Sequence, residues 1–267
     1  MRVVVKAGGR ALLGNMKGIA ESIAKRATEH QIVFVHGGGD VVSDYSKRIG
    51  VEPKFVTSPQ GIRSRYTDAQ ELEVYVMVMA GKLNKEVVAE LTRLGVRAVG
   101  LSGADGGLLL AERKKRIVVV DERGRKRVME GGYTGMITSV SPELLRLLTS
   151  NGFTVVVAPI AVSGEGELLN VDGDQAAASI ARALSADALV LLSDVEGVLL
   201  DGELVGRVTP QEAIELSQRI GPGMNRKLLL AGEAVSSDVG FAVICNGLSE
   251  DPLRVLDEPR GTVIAPS

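Results

Sequence analysis

The stretch "VVVKAGGRALLG" (residues 3–14) decides the fold class of this chain. Its branched apolar residues are typical of a strand buried on both faces, and a lysine and two glycines follow where that strand would end. The stretch "QIVFVHGGG" (residues 31–39) repeats the pattern, and segments with apolar residues at helical spacing follow. This alternation predicts an α/β fold, a three-layer αβα sandwich with a mainly parallel central sheet.

The spacing of apolar residues also predicts individual helices and strands. Residues 18–30 have apolar positions at helical spacing, so they are predicted to form a helix. Residues 68–94 are predicted to form one long helix, with Thr67 or Asp68 as its N-cap. Residues 153–162 are predicted to form a single apolar strand.

The composition bounds both the architecture and the function. The 267 residues are 45% apolar, which suffices for one domain of two lobes, 1–163 and 164–267, around a crevice. A formal net charge of −2 and 3% aromatic residues without Trp argue against nucleic-acid binding. The single cysteine, Cys245, excludes an intramolecular disulfide and favours a cytosolic protein. No apolar run approaches the roughly 18 residues that span a membrane, so no membrane partner is expected.

Four predicted strand ends are rich in glycine or polar residues, namely residues 6–9, 36–39, 102–107 and 193–197. In open α/β sheets ligands bind beyond the carboxyl ends of the strands, and glycines let backbone N–H groups face an anion. Neither of the first two loops matches the GxxxxGK loop of nucleotide triphosphatases or the GxGxxG dinucleotide loop. An anion site of another kind is therefore predicted. Without a Cys/His cluster, no protein-bound metal is expected.

The sequence pattern supports some single residues as ligand-binding candidates more strongly than others. Lys6 ends a buried strand directly before Gly-Gly, a position that favours an anion ligand over an edge residue with a solvated amine. Lys227, Asp174 and Asn170, each taken alone, fit ordinary helix and turn positions. Arg226 lies beside Lys227 and is set aside as a candidate.

Several motifs together resemble the amino acid kinase superfamily, and most closely its acetylglutamate kinase group. The matching stretches are VVVKAGG, VFVHGGGDVVSD, VGLSGADGGLLLA, LLNVDGDQAAASIARAL, LVLLSDVEGVLLDG and GPGMNRKLLLA. They occur in the family's order and cover nearly the whole chain. The resemblance implies the amino acid kinase fold, a phosphotransferase with a carboxyl group as acceptor, ATP with Mg²⁺, and a homodimer.

The resemblance also implies roles for residues. Lys6 and Lys227 would neutralise the transferring phosphoryl group, and Asp174 would hold the two lysines in position. Substrate contacts would come from Gly38, Gly39, Arg65 and Asn170, and nucleotide contacts from Gly8, Gly9, Ser193 and Asp194.

The segment "GIRSRYTD" (residues 61–68) points to a subgroup. N-acetylglutamate kinases typically have G-L-R-V-T-D there, whereas this chain has two extra residues and a second arginine. The variant resembles kinases of lysine and arginine biosynthesis whose substrate, 2-aminoadipate or glutamate, is attached to LysW, a small acidic amino-group carrier protein. By this resemblance Arg65 would clamp the substrate α-carboxylate, with Arg63 as second choice. An N-acetylglutamate kinase and a non-catalytic amino-acid sensor remain alternatives.

Residues 107–130 depart from the alternation of strands and helices, because their apolar runs alternate with charged turns. This pattern predicts antiparallel hairpins. The runs "ERKKR" (residues 112–116) and "ERGRKR" (residues 122–127) carry eight basic residues. They fit a solvated hairpin face and a docking patch for an acidic carrier protein equally well.

Overall fold

The computed structural model describes residues 1–59, 61, 63–121, 123–258 and 260–267. The strands are β1 (Arg2–Ala7), β2 (Gln31–His36), β3 (Lys54–Thr57), β4 (Arg63–Tyr66), β5 (Ala98–Ser102), β6 (Leu109–Arg113), β7 (Arg116–Val120), β8 (Lys126–Glu130), β9 (Gly135–Val140), β10 (Thr154–Ala158), β11 (Ile160–Val162), β12 (Leu168–Asn170), β13 (Ala188–Ser193), β14 (Leu199–Leu200), β15 (Glu203–Leu204), β16 (Arg207–Val208), β17 (Phe241–Asn246) and β18 (Thr262–Ile264). The α-helices are α1 (Gly9–Arg26), α2 (Gly39–Arg48), α3 (Ala69–Val76), α4 (Asn84–Arg93), α5 (Glu143–Ser150), α6 (Gly173–Leu184), α7 (Pro210–Ser217) and α8 (Met224–Ser237). A π-helical segment (Met77–Leu83) and two 3₁₀ turns (Asp105–Gly107 and Pro252–Leu256) complete the elements.

Eight strands form the central sheet in the order β16-β18-β17-β13-β1-β2-β10-β5. The six strands from β17 to β5 run parallel, and β18 pairs antiparallel with β17. β1 lies near the middle, with Lys6 in register with Val35 of β2 and Leu191 of β13. The carboxyl ends of these three neighbouring strands therefore meet at one edge of the sheet.

Alternate residues of β1 point to opposite faces of the sheet, and helices cover both. Val3 and Val5 pack in one core with residues of α1 and α4, whereas Val4 packs in another with residues of α5, α6 and α8. All three valines are buried, and burying each such side chain contributes about 1.5–3 kcal/mol. The predicted three-layer α/β sandwich is confirmed.

Two sequence-based element predictions were wrong at their boundaries. α1 begins at Gly9 rather than at residue 18, and it continues through a kink at Asn15, whose side-chain amide donates to the carbonyls of Gly247 and Ser249. These long-range bonds hold a backbone conformation that local periodicity does not predict. The strand predicted over 153–162 is split at Pro159, because proline has no N–H to donate to the ladder. β10 belongs to the central sheet and β11 to a second sheet, β12-β11-β6-β9.

The long helix predicted over residues 68–94 is confirmed, and Asp68 caps it by accepting from the Glu71 amide at 3.0 Å. It consists of α3, the π-helical segment and α4. Of the predicted hairpins, β7 and β8 form one, while β6 pairs antiparallel with β9 instead of with its neighbour in sequence. The residues predicted as a basic segment include Glu122, and those predicted as the substrate segment include Ile62; both lie outside the described residues.

The lobe boundary predicted at residue 163 falls in the turn between β11 and β12, where the Ser163 hydroxyl accepts from the amides of Glu165 and Glu167. The division into two lobes stays a prediction. Within the described part of the chain, every helix is too short or too polar to cross a bilayer.

Candidate active site

Three elements bring Lys6, Asp174 and Lys227 together. Lys6 is near the end of β1, Asp174 is in the first turn of α6, and Lys227 is in the first turn of α8. The Lys6 ammonium lies 2.8 Å from one carboxylate oxygen of Asp174, and the Lys227 ammonium lies 2.6 Å from the other. The carboxylate thus joins two lysines that are far apart in the sequence.

Local structure directs these side chains. The Asp172 side chain caps α6 by accepting from the Gln175 amide at 2.8 Å, which fixes the turn that carries Asp174. Gly173 leaves room for Lys6, since a Cβ at that position would lie 3.3 Å from the Lys6 Cε. Any larger residue at position 173 would press on the lysine.

Burial and mutual charge decide the ionisation of the three groups. Burial alone would raise the pKa of Asp174, but the charges of Lys6 and Lys227 outweigh it and hold that pKa below its usual range. Burial opposes the charge on Lys6 too, yet Asp174 raises the pKa of Lys6. Burial and the charge of Lys6 lower the pKa of Lys227. One carboxylate between two ammonium groups leaves one net positive charge, which suits an anionic ligand.

Two glycine loops meet beside this cluster. A Cβ at Gly9 would lie 3.3 Å from the amide nitrogen of Gly38, so the loop after β1 touches the loop after β2. A Cβ at Gly38 would lie 2.1 Å from the Leu83 side chain, which explains why glycine is needed there. The close approach brings backbone amides of both loops to one place.

Lys6 and the two glycine loops line a cleft of about 510 Å³, and Asp174 and Lys227 lie behind Lys6, outside the lining of the cleft. This lining includes six residues that the sequence analysis predicts as site residues: Lys6, Gly9, Gly38, Gly39, Arg65 and Asn170. Asn170 is held by donating from its side chain to the Thr67 hydroxyl at 2.8 Å. Arg63, the second choice for the carboxylate clamp, lines the cleft as well.

Three of the four residues predicted to contact the nucleotide lie outside the cleft. Ser193 and Asp194 follow β13, and the Gly8 amide donates to the Leu192 carbonyl at 3.3 Å. The lining of the cleft includes none of Gly8, Ser193 and Asp194, although a Cβ at Gly8 would lie 3.7 Å from the Lys6 ammonium. The predicted roles of all these residues stay predictions.

Arg65 already has several partners. It forms a buried ion pair with Glu71, and its Nη2 donates to the Gly39 carbonyl and the Ser43 hydroxyl, both at 2.6 Å. A carboxylate that binds at Nη2 must therefore replace one of these two acceptors. Arg63 is exposed, with its guanidinium carbon 4.2 Å from the centre of the Phe55 ring.

Sequence reasoning missed several residues of the cleft. Arg226, which was set aside, lines it and lies 3.3 Å from the Asp172 carboxylate. Lys114 and the buried Tyr75 also line it, and the Tyr75 hydroxyl donates to the Pro159 carbonyl. Only the fold brings these positions together, because no local motif marks them.

Replacing Glu71 with glutamine is expected to destabilise the protein by about 3–5 kcal/mol, because it leaves the Arg65 charge buried without its partner. The matched control is Glu90→Gln, which removes a surface pair with Arg93 and is expected to change stability much less. Urea unfolding of both variants measures the difference. Equal stability of the two variants contradicts the structural role of the Arg65–Glu71 pair.

The sequence and the fold match a known protein family. The pattern that defines the amino acid kinase family matches residues 1–246. The chain belongs to this family. This amino acid kinase is 53% identical over 264 residues to the "[LysW]-aminoadipate/[LysW]-glutamate kinase" of Saccharolobus solfataricus, covering 98% of this chain and 99% of that protein. The protein of the same name from Sulfurisphaera tokodaii is 51% identical over 263 residues, with 98% and 99% coverage.

Solved structures agree with the amino acid kinase fold. N-acetylglutamate synthase from Neisseria gonorrhoeae, complexed with coenzyme A and N-acetyl-glutamate, superimposes with a TM-score of 0.80 at 26% identity, covering 100% of this chain and 59% of that one. Carbamate kinase from Giardia lamblia bound to AMP-PNP gives a TM-score of 0.71 at 16% identity, covering 99% and 98%. The resemblance seen in the sequence motifs is therefore confirmed.

Proposed function

We propose that this amino acid kinase transfers the γ-phosphoryl group of ATP to the side-chain carboxylate of 2-aminoadipate or glutamate that is attached to an acidic carrier protein of the LysW type. The product is an acyl phosphate for lysine or arginine biosynthesis. The observation that carries the proposal is the Lys6–Asp174–Lys227 cluster, which reaches a cleft between two glycine loops through Lys6. The names of the similar kinases support the carrier-linked substrate.

The site suits a reaction between two anions. A carboxylate acceptor has a reference pKa of about 4.3, so it is ionised at neutral pH and needs no general base. The obstacle is the approach of this anion to the phosphates. Catalysis then depends on neutralising charge and on positioning, which Lys6, Lys227 and the glycine amides provide. ATP, with its Mg²⁺, supplies the phosphoryl group and a counter-charge.

Asp174 acts as a positioning group in this scheme. Its lowered pKa keeps it ionised, so it is a poor proton acceptor and an effective anchor. By holding both ammonium groups within 2.8 Å of its oxygens, it sets the distance between the two lysines. A phosphoryl group that binds beside this carboxylate would meet two cations.

The remaining site residues divide between the two substrates. The nucleotide would bind against the segments at the ends of β1 and β13, which carry Gly8, Gly9, Ser193 and Asp194. Gly38, Gly39, Arg65 and Asn170 are proposed to bind the amino acid. Arg65 would hold its α-carboxylate by exchanging one of its present acceptors, which is a small change for a guanidinium at the wall of the cleft.

A second cavity of about 590 Å³ adjoins the cleft and favours a substrate with an extension. It lies between the β3–β4 and β7–β8 hairpins, and both cavities share Ser64, Arg65 and Lys114 in their walls. An acetyl group on the amino nitrogen needs little space, whereas a polypeptide carrier needs an exit. The groove between the hairpins offers this exit.

Basic side chains line and flank the exit. Of the eight basic residues in the two charged runs, Arg113 pairs with Glu167, and Arg125 and Arg127 pair with Asp121. The other five form no ion pair with any residue that the structure describes: Lys114, Lys115, Arg116, Arg123 and Lys126. This unbalanced positive charge fits an acidic partner.

Reversing the charge of Lys126, which lines the second cavity, is expected to raise KM for the carrier-linked substrate about tenfold and to leave kcat unchanged. The effect should shrink as salt screens the interaction. Lys17→Glu on α1 is the matched control, because Lys17 is also exposed but lies outside both cavities. Steady-state kinetics at several ionic strengths measure both variants. An equal rise of KM in the two variants contradicts a localised docking surface.

Trapping with hydroxylamine tests the proposed function. The protein is incubated with ATP and Mg²⁺ and, in turn, with carrier-linked aminoadipate, carrier-linked glutamate and N-acetylglutamate, and the acyl phosphate is captured as a hydroxamate. We expect product with the carrier-linked acceptors. Product with N-acetylglutamate alone would identify an N-acetylglutamate kinase, and no product with any acceptor would indicate a sensor.

A further inference from the structure

An exposed ion pair bridges the loops that follow β1 and β13. Arg10, in the first turn of α1, lies with Nη1 2.8 Å from a carboxylate oxygen of Asp194, the residue after β13. The Arg10 side chain is 77% exposed and that of Asp194 is 28% exposed. Neither family motif nor local sequence pattern drew attention to Arg10.

The pair lies next to the phosphoryl-transfer cluster. Gly8, two residues before Arg10, would place a Cβ 3.7 Å from the Lys6 ammonium. Asp194 also accepts from the Ser193 hydroxyl at 3.3 Å. A nucleotide whose terminal phosphate reaches Lys6 and whose remainder follows the loop after β13 must pass this pair.

The energetics favour an exchange of partners there. An ion pair between solvent-exposed side chains contributes little to stability, so separating Arg10 from Asp194 costs little. A guanidinium forms charge-assisted, often bidentate hydrogen bonds with phosphate that are roughly twice as strong as neutral ones. The Asp194 carboxylate alone would repel the phosphates. A cation that turns from Asp194 to the phosphates removes part of their charge.

We propose that Arg10 is a nucleotide-binding residue that leaves Asp194 and contacts the phosphate chain when ATP binds. This inference rests on the proposed function, because it places ATP on the loops after β1 and β13. Asp194 then keeps the hydrogen bond from Ser193. Arg10 contributes to the affinity for nucleotides in proportion to their phosphates, and it adds a third cation to the pair formed by Lys6 and Lys227.

Equilibrium binding of AMP-PNP and of AMP, measured by calorimetry without any acceptor, tests the proposal. Arg10→Ala is expected to weaken AMP-PNP binding about tenfold, the equivalent of one charge-assisted hydrogen bond, and to leave AMP binding unchanged. Arg10→Lys should fall between, because lysine keeps the charge but loses the planar pair of donors. The control is Arg48→Ala, which removes another exposed pair, with Asp44 at 2.8 Å, far from both loops in sequence.

The outcomes separate this inference from the proposed function. Unchanged AMP-PNP binding by Arg10→Ala, or an equal loss for AMP and AMP-PNP, overturns the inference, as does a wild-type protein that binds neither nucleotide. A wild-type protein that binds AMP-PNP but yields no hydroxamate overturns the proposed function. The binding result for Arg10 stands in that case, because it requires no acceptor.

Discussion

Replacing Lys6 with alanine is expected to lower kcat by a factor on the order of 10²–10³ while the protein still folds. Lys6 lies near the end of β1, in the middle of the central sheet, and brings a buried positive charge to the meeting point of two glycine loops. Its loss removes a cation whose attraction grows as charge moves onto the transferring group. Asp174 would keep Lys227 as its partner, so no carboxylate is left without a cation.

Lys227→Ala is expected to have an effect of the same order, because Lys227 faces the other oxygen of Asp174. Steady-state kinetics with saturating ATP and carrier-linked substrate measure kcat for both variants, and circular dichroism reports the fold. Lys25→Ala is the control, since its amine is exposed and 4.0 Å from Asp251. Near-normal turnover by either folded variant would refute the role of that lysine.

Asp174→Asn is expected to destabilise the protein strongly. It leaves Lys6 and Lys227 facing each other in a buried site, and breaking a buried ion pair in this way costs about 3–5 kcal/mol. Because the pKa of Asp174 is depressed in the folded protein, its stabilising contribution is present above the unfolded value of about 3.9 and is lost as the pH falls below it. The difference in unfolding free energy between wild type and variant should therefore shrink at acid pH.

A double variant separates the structural role of Asp174 from its catalytic role. Lys6→Met combined with Asp174→Asn removes one of the two repelling cations, so it should recover part of the lost stability but none of the lost kcat. The control is Asp44→Asn, which breaks an exposed pair with Arg48 and should change stability by at most about 1 kcal/mol. If Asp174→Asn unfolds at the same urea concentration as wild type, Asp174 does not hold the lysines.

The sequence predicts the centre of the fold well, because buried parallel strands have an unmistakable composition. The apolar runs of β1, β2, β10 and β13 are recognisable, and each of the first two ends at a glycine loop. The start of α1 was missed because its kink depends on bonds from Asn15 to a loop more than 200 residues away. The spacing of apolar residues within a short segment cannot reveal hydrogen bonds to a distant part of the chain.

The candidate site was predictable only in part, for the same reason. Lys6 has a local signature, a lysine before Gly-Gly at a strand end. Asp174 and Lys227 lie on separate helices 53 residues apart, so the resemblance to a family, rather than spacing, suggested that they meet. The partners of Arg65 come from α2 and α3. The Arg10–Asp194 pair joins the first turn of α1 to the residue that follows β13. Such contacts follow from topology, which motifs do not encode.

In the proposed reaction, an amino acid is phosphorylated in the cleft while the carrier protein to which it is attached lies in the groove between the β3–β4 and β7–β8 hairpins. The most direct measurement compares kcat/KM of the wild-type protein for carrier-linked aminoadipate, carrier-linked glutamate and N-acetylglutamate at one ionic strength. We predict a preference for at least one carrier-linked acceptor on the order of 10²-fold, the equivalent of about 2.7 kcal/mol. An equal or higher kcat/KM for N-acetylglutamate would contradict the account.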